Sequence, residues 1–550
     1  MTLPADLAAF ITMLLRGCQL AAQSLLIGGL AFLLVLARPL APALAGAGPQ
    51  LLAKSRLWAG RAGLLLALVA ALSVGINLVN LNQTLGLDLR EALGADFIAW
   101  TALAVAGGLS AWLWLRVARG PVAFILLLVS VAAVLAAALM SSHAAARLEE
   151  RAFYMTADAL HQIGAAVWIG GIPFLLLGIG VAATPASKAL IGARFSHMAI
   201  GAVILLAIGA TIMAIGYSGS WAAFIGTAYG AMMATKLFLL GVLLLMGLMN
   251  LLTTHGGNPD PGMVRLRGFA EVEIGIGIAV MFIAASLATQ PPAADQALDP
   301  SSLASFHEIV ERMTPTVPRL VGPSHDEVTI PTDQLVAANF ESSDADKAWS
   351  EVNHHWAGLF LLTLAFLALL ERTGRAPWAR NWPLMFLLLA GMLFVRSDPE
   401  SWPLGPIPFW ERFLDPEVMQ HRLVMLLLVP FGVFEWAVRT GRLTKAWAKM
   451  VFPALCVLGG TLLLAHTHSL TDVKQSYLIE LNHLPMGTCG ILAGWARWLE
   501  LRGPKPERRL SPAGSGAEAS DRTWPVKMAS WIWPICFVLI GLLLLDYRES

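Results

Sequence analysis

Long apolar runs follow one another along almost the whole of this 550-residue chain, and they constrain its fold more than any motif within it. About 18 to 20 apolar residues cross a bilayer as an α-helix, because in lipid the backbone must satisfy its own hydrogen bonds. Fourteen runs can be read, at about 7–36, 58–80, 96–118, 121–143, 157–182, 195–217, 228–253, 269–290, 354–371, 382–396, 417–438, 450–467, 479–499 and 528–546. The tenth is the shortest. With 57% hydrophobic and 13% charged residues, the chain stands well apart from soluble domains, in which about a quarter of residues are charged. The expected fold is all-α, a polytopic membrane helix bundle of about 14 transmembrane helices.

The first run is longer than the apolar region of a signal peptide and lacks a small-residue cleavage site, so it is expected to stay as a helix. The four cysteines, Cys18, Cys456, Cys489 and Cys536, lie inside apolar runs without CxxC spacing, which indicates neither a disulfide framework nor a zinc knuckle. A net charge of +1 argues against a nucleic-acid partner.

Lys and Arg are retained on the cytoplasmic side of a membrane, so their distribution orients the chain. The odd-numbered connections between runs hold 24 of the 37 cations and the opposite side holds 11, while Arg16 and Lys236 lie within helices. Both termini are therefore expected to be periplasmic. The reading divides the chain into an eight-helix membrane domain at 1–290, a periplasmic loop at 291–353 and a six-helix domain at 354–550. The loop opens on "QPPAADQALDPSS" and is mildly acidic, as a solvated linker would be; His307 and "SHDE", with His325, are its candidate weak metal contacts. The segment between the last two runs, "LRGPKPERRLSPAGSGAEASDRTWPVK", has the composition of a disordered cytoplasmic linker.

On this topology eight of the 12 histidines fall at external helix ends. His143 ends the fourth helix and His161 starts the fifth; His354 and His355 start the ninth; His421 starts the eleventh; His466 and His468 end the twelfth; His483 starts the thirteenth. One such imidazole can simply anchor a helix end. Several together, at a depth where an ionisable group needs a partner, point to a metal ion or a haem iron.

Helical spacing extends this pattern. Glu480, His483, Met486 and Cys489 recur at intervals of three, placing oxygen, nitrogen and sulfur donors on one helix face. Glu417, His421 and Met425 recur at intervals of four, and Met140 lies one turn from His143. Imidazole near the mouth with sulfur deeper suits copper, since Met and Cys sulfur selects Cu(I) and imidazole accepts either oxidation state. A methionine stripe can also be plain packing.

The stretches "DALHQIGAAVWIGGIP" (158–173), "RFSHMAIGAVILLAIGA", "GTAYGAMMATKLFLLGVLLLMGLMN" and "RGFAEVEIGIGIAVMFIAASLATQPP" resemble the membrane domain of the copper resistance protein D family, CopD. The second half, with "HHWAG", "PEVMQHRLVML", "AHTHS" and "ELNHLPMGTCGILAGWARWLELR", is similar to the C-terminal region of longer CopD-type proteins and, more loosely, to CtaG-type copper-insertion proteins. The resemblance spans about residues 120–505. His197 stands where the family pattern carries Arg or another polar residue, so no role passes to it. The family implies a bacterial inner-membrane protein, associated with periplasmic copper proteins, that moves copper or hands it over, with a periplasmic copper chaperone as the implied partner.

Two cations within helices complicate a pure copper path. Arg16 shares a helix face with Thr12, Gln19 and Gln23, and Lys236 lies within the seventh helix, both roughly a dozen ångströms below the external surface at about 1.5 Å per residue. They would repel copper and favour a carboxylate, a quinone or haem propionates. The alternative expectation is therefore a b-type haem protein that transfers electrons, with Arg16 and Lys236 binding the cofactor; a third is a docking factor for a copper chaperone. No GxxxxGK[ST] motif supports ATP-driven pumping. Two metal sites are expected: one from His355, His421, His466, His468 and His483, with Glu417 and Glu480 orienting the imidazoles, and one from His143 and His161; His354 is a further candidate ligand.

Overall fold

The computed structural model describes residues 5–44, 46–117, 120–255, 259–328, 343–414, 416–464, 473–503 and 524–549. Each apolar run forms a helix because nothing else satisfies its backbone in hydrocarbon. In the first half these are α1 (Ala5–Ala31), α2 (Ala47–Leu85), α3 (Asp96–Val117), α4 (Pro121–Met140), α5 (Arg151–Trp168), α6 (Pro185–Ser218), α7 (Ala228–His255) and α8 (Pro259–Leu287). In the second they are α9 (Asp344–Arg372), α10 (Met385–Arg396), α11 (Pro416–Arg439), α12 (Val451–Leu464), α13 (Val473–Arg502) and α14 (Trp524–Leu545). Among the described residues 12 helices are long and apolar enough to cross a membrane, Ala448–Leu464 forms a shorter apolar helix, and there is no β-strand. The chain is an all-α, multi-pass membrane protein.

It divides into two compact units: residues 1–224 with 232–298, and residues 225–231 with 299–550. In the first, α5 packs on α6 through glycine. A Cβ added at Gly164 would meet the Leu206 backbone nitrogen at 2.5 Å, and one at Gly209 would meet that of His161 at 2.7 Å. Lipid offers no hydrophobic drive for helix association, so such close approaches of small residues hold membrane helices together. In the second unit α12 and α13 meet in the same way, with a Gly460 Cβ falling 2.5 Å from the Gly487 carbonyl oxygen.

An aromatic core of Trp382, Phe386, Phe452, Trp533 and Phe537 fills the second unit. The Arg439 guanidinium lies 4.9 Å from the Trp382 ring centroid and 5.3 Å from that of Trp533. Arg439 pairs with Glu435 at 2.7 Å and Glu371 at 3.7 Å, and Glu500 pairs with Arg372 at 2.7 Å and Arg497 at 2.6 Å. Three arginines are thus matched by three glutamates, which offsets the cost of placing charge near hydrocarbon.

Two expectations change here. Helix α5 begins at Arg151, so His161 lies ten residues inside it rather than at its start. The first turns, "RAFYMTADAL", mix polar with apolar residues and do not read as an apolar run, although they are helical. The polar segment after α8 is also folded over its described part. A helix at Phe306–Met313 starts with a reciprocal Ser305/Glu308 cap, and Arg312 on it donates to the Leu478 carbonyl at 3.0 Å. Arg548 donates to the carbonyls of Glu311, Arg312 and Thr314, so the residues after α14 clasp this helix. Residues 329–342 lie outside the described ones.

Candidate functional site

In the first unit the two cations of the sequence find a common counter-charge. Asp158 on α5 acts electrostatically on both Arg16 of α1 and Lys236 of α7, and on His161 one turn along its own helix. Asp158 is 7% exposed. Its Oδ1 accepts from the Gln162 amide at 3.0 Å, and Gln162 Oε1 accepts from Gln23 at 3.0 Å, which ties α5 to α1. Asp158 Oδ2, His161 Nδ1 and the Tyr217 hydroxyl are buried without a hydrogen-bond partner. Buried polar atoms are seldom left so, and here the other two lie within electrostatic reach of the Asp158 carboxylate. Two basic side chains thus share one carboxylate.

Sequence reasoning singled out Arg16, Lys236 and His161 but missed Asp158. The signal was in hand, because Asp158 precedes His161 by three and therefore shares its helix face.

His143 starts a short helix after α4, with its ring edge on Tyr217 at 6.2 Å between centroids. His161 packs at Gly209, about two turns from Tyr217 along α6, so the two imidazoles attach to that helix at different levels. That separation follows from the earlier start of α5. Met140 lies at the end of α4, with Arg151 Nη2 4.0 Å from its sulfur.

In the second unit His354, His355 and His483 gather around Tyr547, which is 3% exposed. The His354 ring stacks on Tyr547 at 3.8 Å between centroids, and His483 meets the same ring edge-on at 5.8 Å. His354 Nδ1 donates to the Ser350 carbonyl at 2.8 Å, and His483 Nδ1 donates to the Ile479 carbonyl at 3.1 Å. A carbonyl cannot donate, so the neutral rings carry their protons on Nδ1 and their lone pairs on Nε2. Ligating histidines have this arrangement, with one nitrogen fixed by a backbone carbonyl and the other presented to the ion.

His355 differs from its neighbour. It is 3% exposed; its Nδ1 accepts from the Arg319 N–H at 2.8 Å and its Nε2 donates to the Tyr547 carbonyl at 2.9 Å. Both nitrogens are committed, and the ring works as a clasp between the segment before α9 and the residues after α14. The Tyr547 hydroxyl and Ser350 Oγ both donate to Glu549 at 2.7 Å, so a carboxylate closes the cluster. Tyr547 and Glu549 were not legible, since they follow the last apolar run and carry no spacing signal.

His421 is half-buried on α11, next to Arg422, which pairs with Asp398 at 3.0 Å. Met425 and Met486 are buried at 6% and 5% exposure. Glu480 is also buried, while His483 takes its orientation from its own helix. His466 and His468 lie outside the described residues, as does the Glu417 side chain. Among the described residues no three His, Cys, Asp or Glu side chains converge as a ready-made metal site.

The donor row of α13 has a definite neighbour. His483 meets the ring of Tyr547 just beyond α14, and Cys489 packs against the core to which Cys536 of α14 belongs. Each interval of three falls about 60° short of a full turn, so Glu480 and Cys489 lie on opposite sides of α13 rather than on one face.

Residues 189–287 match the family model of copper resistance protein D, CopD. This region carries Lys236 and the helices α7 and α8. No curated protein and no solved structure matches the chain.

Proposed function

We propose that this chain, a copper-handling membrane protein of the copper resistance protein D family, binds copper at the periplasmic face of a bacterial inner membrane and passes it on. The observation that carries this reading is the pair His354 and His483, brought from α9 and α13 to one tyrosine, each with its Nδ1 held by a backbone carbonyl of its own helix. Two neutral imidazoles suit Cu(I) and Cu(II) alike, and the sulfur of Met486 follows one turn along α13. His421, His466 and His468 are further candidates for the same face. A periplasmic copper chaperone would supply or receive the ion, and lipid surrounds the helices.

The test is direct. Replacing His354 and His483 together by Ala should remove copper from the purified protein while its elution and helix content stay as in wild type. Unchanged copper stoichiometry in the double variant would overturn the assignment.

The two basic side chains that share Asp158 favour a second reading for the first unit. An anionic group would match Arg16 and Lys236, and the propionates of a b-type haem are one such group, with His161 as a candidate axial ligand. Bound haem would supply one-electron transfer. A Soret band that His161→Ala abolishes would support this reading, and a purified protein without that band would reject it.

A further inference from the structure

The helix at Phe306–Met313 has three kinds of surface. At about 100° per residue, Phe306, Val310 and Met313 fall within about 60° of one another, His307 and Glu311 occupy the next sector, and Glu308 and Arg312 lie on the far side. Glu308 and Arg312 face the protein, through Lys474 and the Leu478 carbonyl of α13, and Ile309 packs against the core that holds Tyr477. His307 and Glu311 are exposed, as suits polar side chains. Phe306, Val310 and Met313 are exposed as well, Phe306 at 68%, although all three are apolar. The apolar strip continues beyond the helix in Val317 and Val321, both exposed.

Hydrogen bonds fix the level of this segment against the membrane. The last apolar span ends at Leu545, and Arg548, three residues on, donates to the carbonyls of Glu311, Arg312 and Thr314. Three extended residues reach at most about 10 Å, at about 3.3–3.6 Å each. The Thr316 N–H donates to Asp546 Oδ1 at 2.9 Å, next to the end of the same span. Trp356 on α9, itself exposed, donates its indole N–H to the Leu320 carbonyl at 3.2 Å. Tryptophan, with an apolar body and one polar edge, gathers where membrane meets water.

We infer that Phe306–Met313 is an interfacial helix, lying along the membrane surface with Phe306, Val310 and Met313 set among the upper acyl chains of phospholipid. Only at the rim of a membrane protein does a helix meet protein, lipid and water on three sides, and its three sectors match those surroundings. Helices of this kind bury their apolar face about 5–10 Å into the boundary between headgroups and acyl chains, which agrees with the level set by Arg548. The inference is independent of the copper-handling reading. Its consequence for the second unit is that lipid holds down the segment bonded to both neighbours of Tyr547.

The experiment reconstitutes the full-length protein in vesicles of phosphatidylcholine and phosphatidylglycerol, doped with a phospholipid that carries an aryl diazirine near the glycerol end of one acyl chain. After illumination, peptide mass spectrometry locates the lipid adducts. Wild type is expected to carry them on Phe306, Val310 and Met313, as on Leu427, an exposed apolar residue of α11, and not on His307 or Glu311. Phe306→Ser with Val310→Ser leaves the Ser305/Glu308 cap and the bonds to α13 in place. This variant should lose the adducts across 306–313 and keep those on Leu427; should it fail to fold, the wild-type pattern decides alone. Adducts on Leu427 with none across 306–313 would overturn the inference and leave this face to a protein partner. Adducts spread evenly over the apolar and polar sectors, or unchanged by the double substitution, would overturn it too.

Discussion

Asp398 and Arg422 form an ion pair at 3.0 Å with side chains 5% and 2% exposed, and Arg422 also donates to the Phe409 carbonyl beneath its ring contact. Breaking such a pair leaves a buried charge uncompensated and costs about 3–5 kcal/mol. Asp398→Ala should therefore lower the unfolding midpoint markedly, as followed by circular dichroism in detergent, and it should disturb His421 next door. A midpoint equal to wild type would show that Arg422 finds another partner. At this scale the candidate imidazoles were legible, because histidine at membrane depth is uncommon enough to stand out. Their roles were not. His354 and His355 are adjacent and look equivalent in sequence, yet one bonds through Nδ1 to its own helix and the other spends both nitrogens on backbone of distant segments. A helix turns about 100° between neighbours, so the two rings meet different surroundings.

The helix at Phe306–Met313 is held by its cap and by a link to α13. Glu308 accepts from Lys474, which is the main reason its carboxyl is held at about 2, and the Ser305 backbone N–H adds to this. A carboxyl held below its ordinary 4.5 contributes stability above that value and loses it as pH falls towards about 2. Hydrogen-exchange protection across 306–313, relative to the intrinsic rate at each pH, should therefore fall between about pH 4.5 and pH 2, and Glu308→Gln should remove the pH step; a step that survives the substitution would place its origin elsewhere. On α6, Gly209→Val has no room beside His161 and should push α5 away, lowering thermal stability, whereas Gly201→Ala, facing open space, should be silent. Helix existence was legible from apolar runs alone. The start of α5 and the fold of the segment after α8 were not, because amphipathic and capped helices carry too little apolar length to register against membrane spans.

Across the molecule the donors are lopsided. His354, His483, Met486 and Cys489 belong to the second unit, and on the topology expected from the sequence the cytoplasmic ends offer chiefly His197, His255, Glu271 and Glu273. Two of these are already engaged: Glu271 pairs with Arg267 at 3.0 Å, and Glu273 accepts from Asn250 and Trp168. Such an arrangement favours residence of copper near the histidine end and slow or gated onward passage. Cells carrying the protein should then bind more copper in the membrane fraction than cells without it, with a smaller change in the cytoplasm; an equal rise in both fractions would instead mark open passage. The multi-pass all-α architecture was legible from hydropathy, although about 14 spans were expected and 12 helices among the described residues are long and apolar enough to cross a membrane. The meeting of Asp158 with Arg16 and Lys236, and of His354 and His483 with Tyr547, was not, since no spacing rule reports which distant helices become neighbours. The most direct test of the central claim is metal and optical analysis of one sample of the full-length purified protein after equilibration with copper and removal of free ion. The account predicts stoichiometric copper that falls when His354 and His483 are replaced; a sample that retains no copper above a control membrane protein would contradict it.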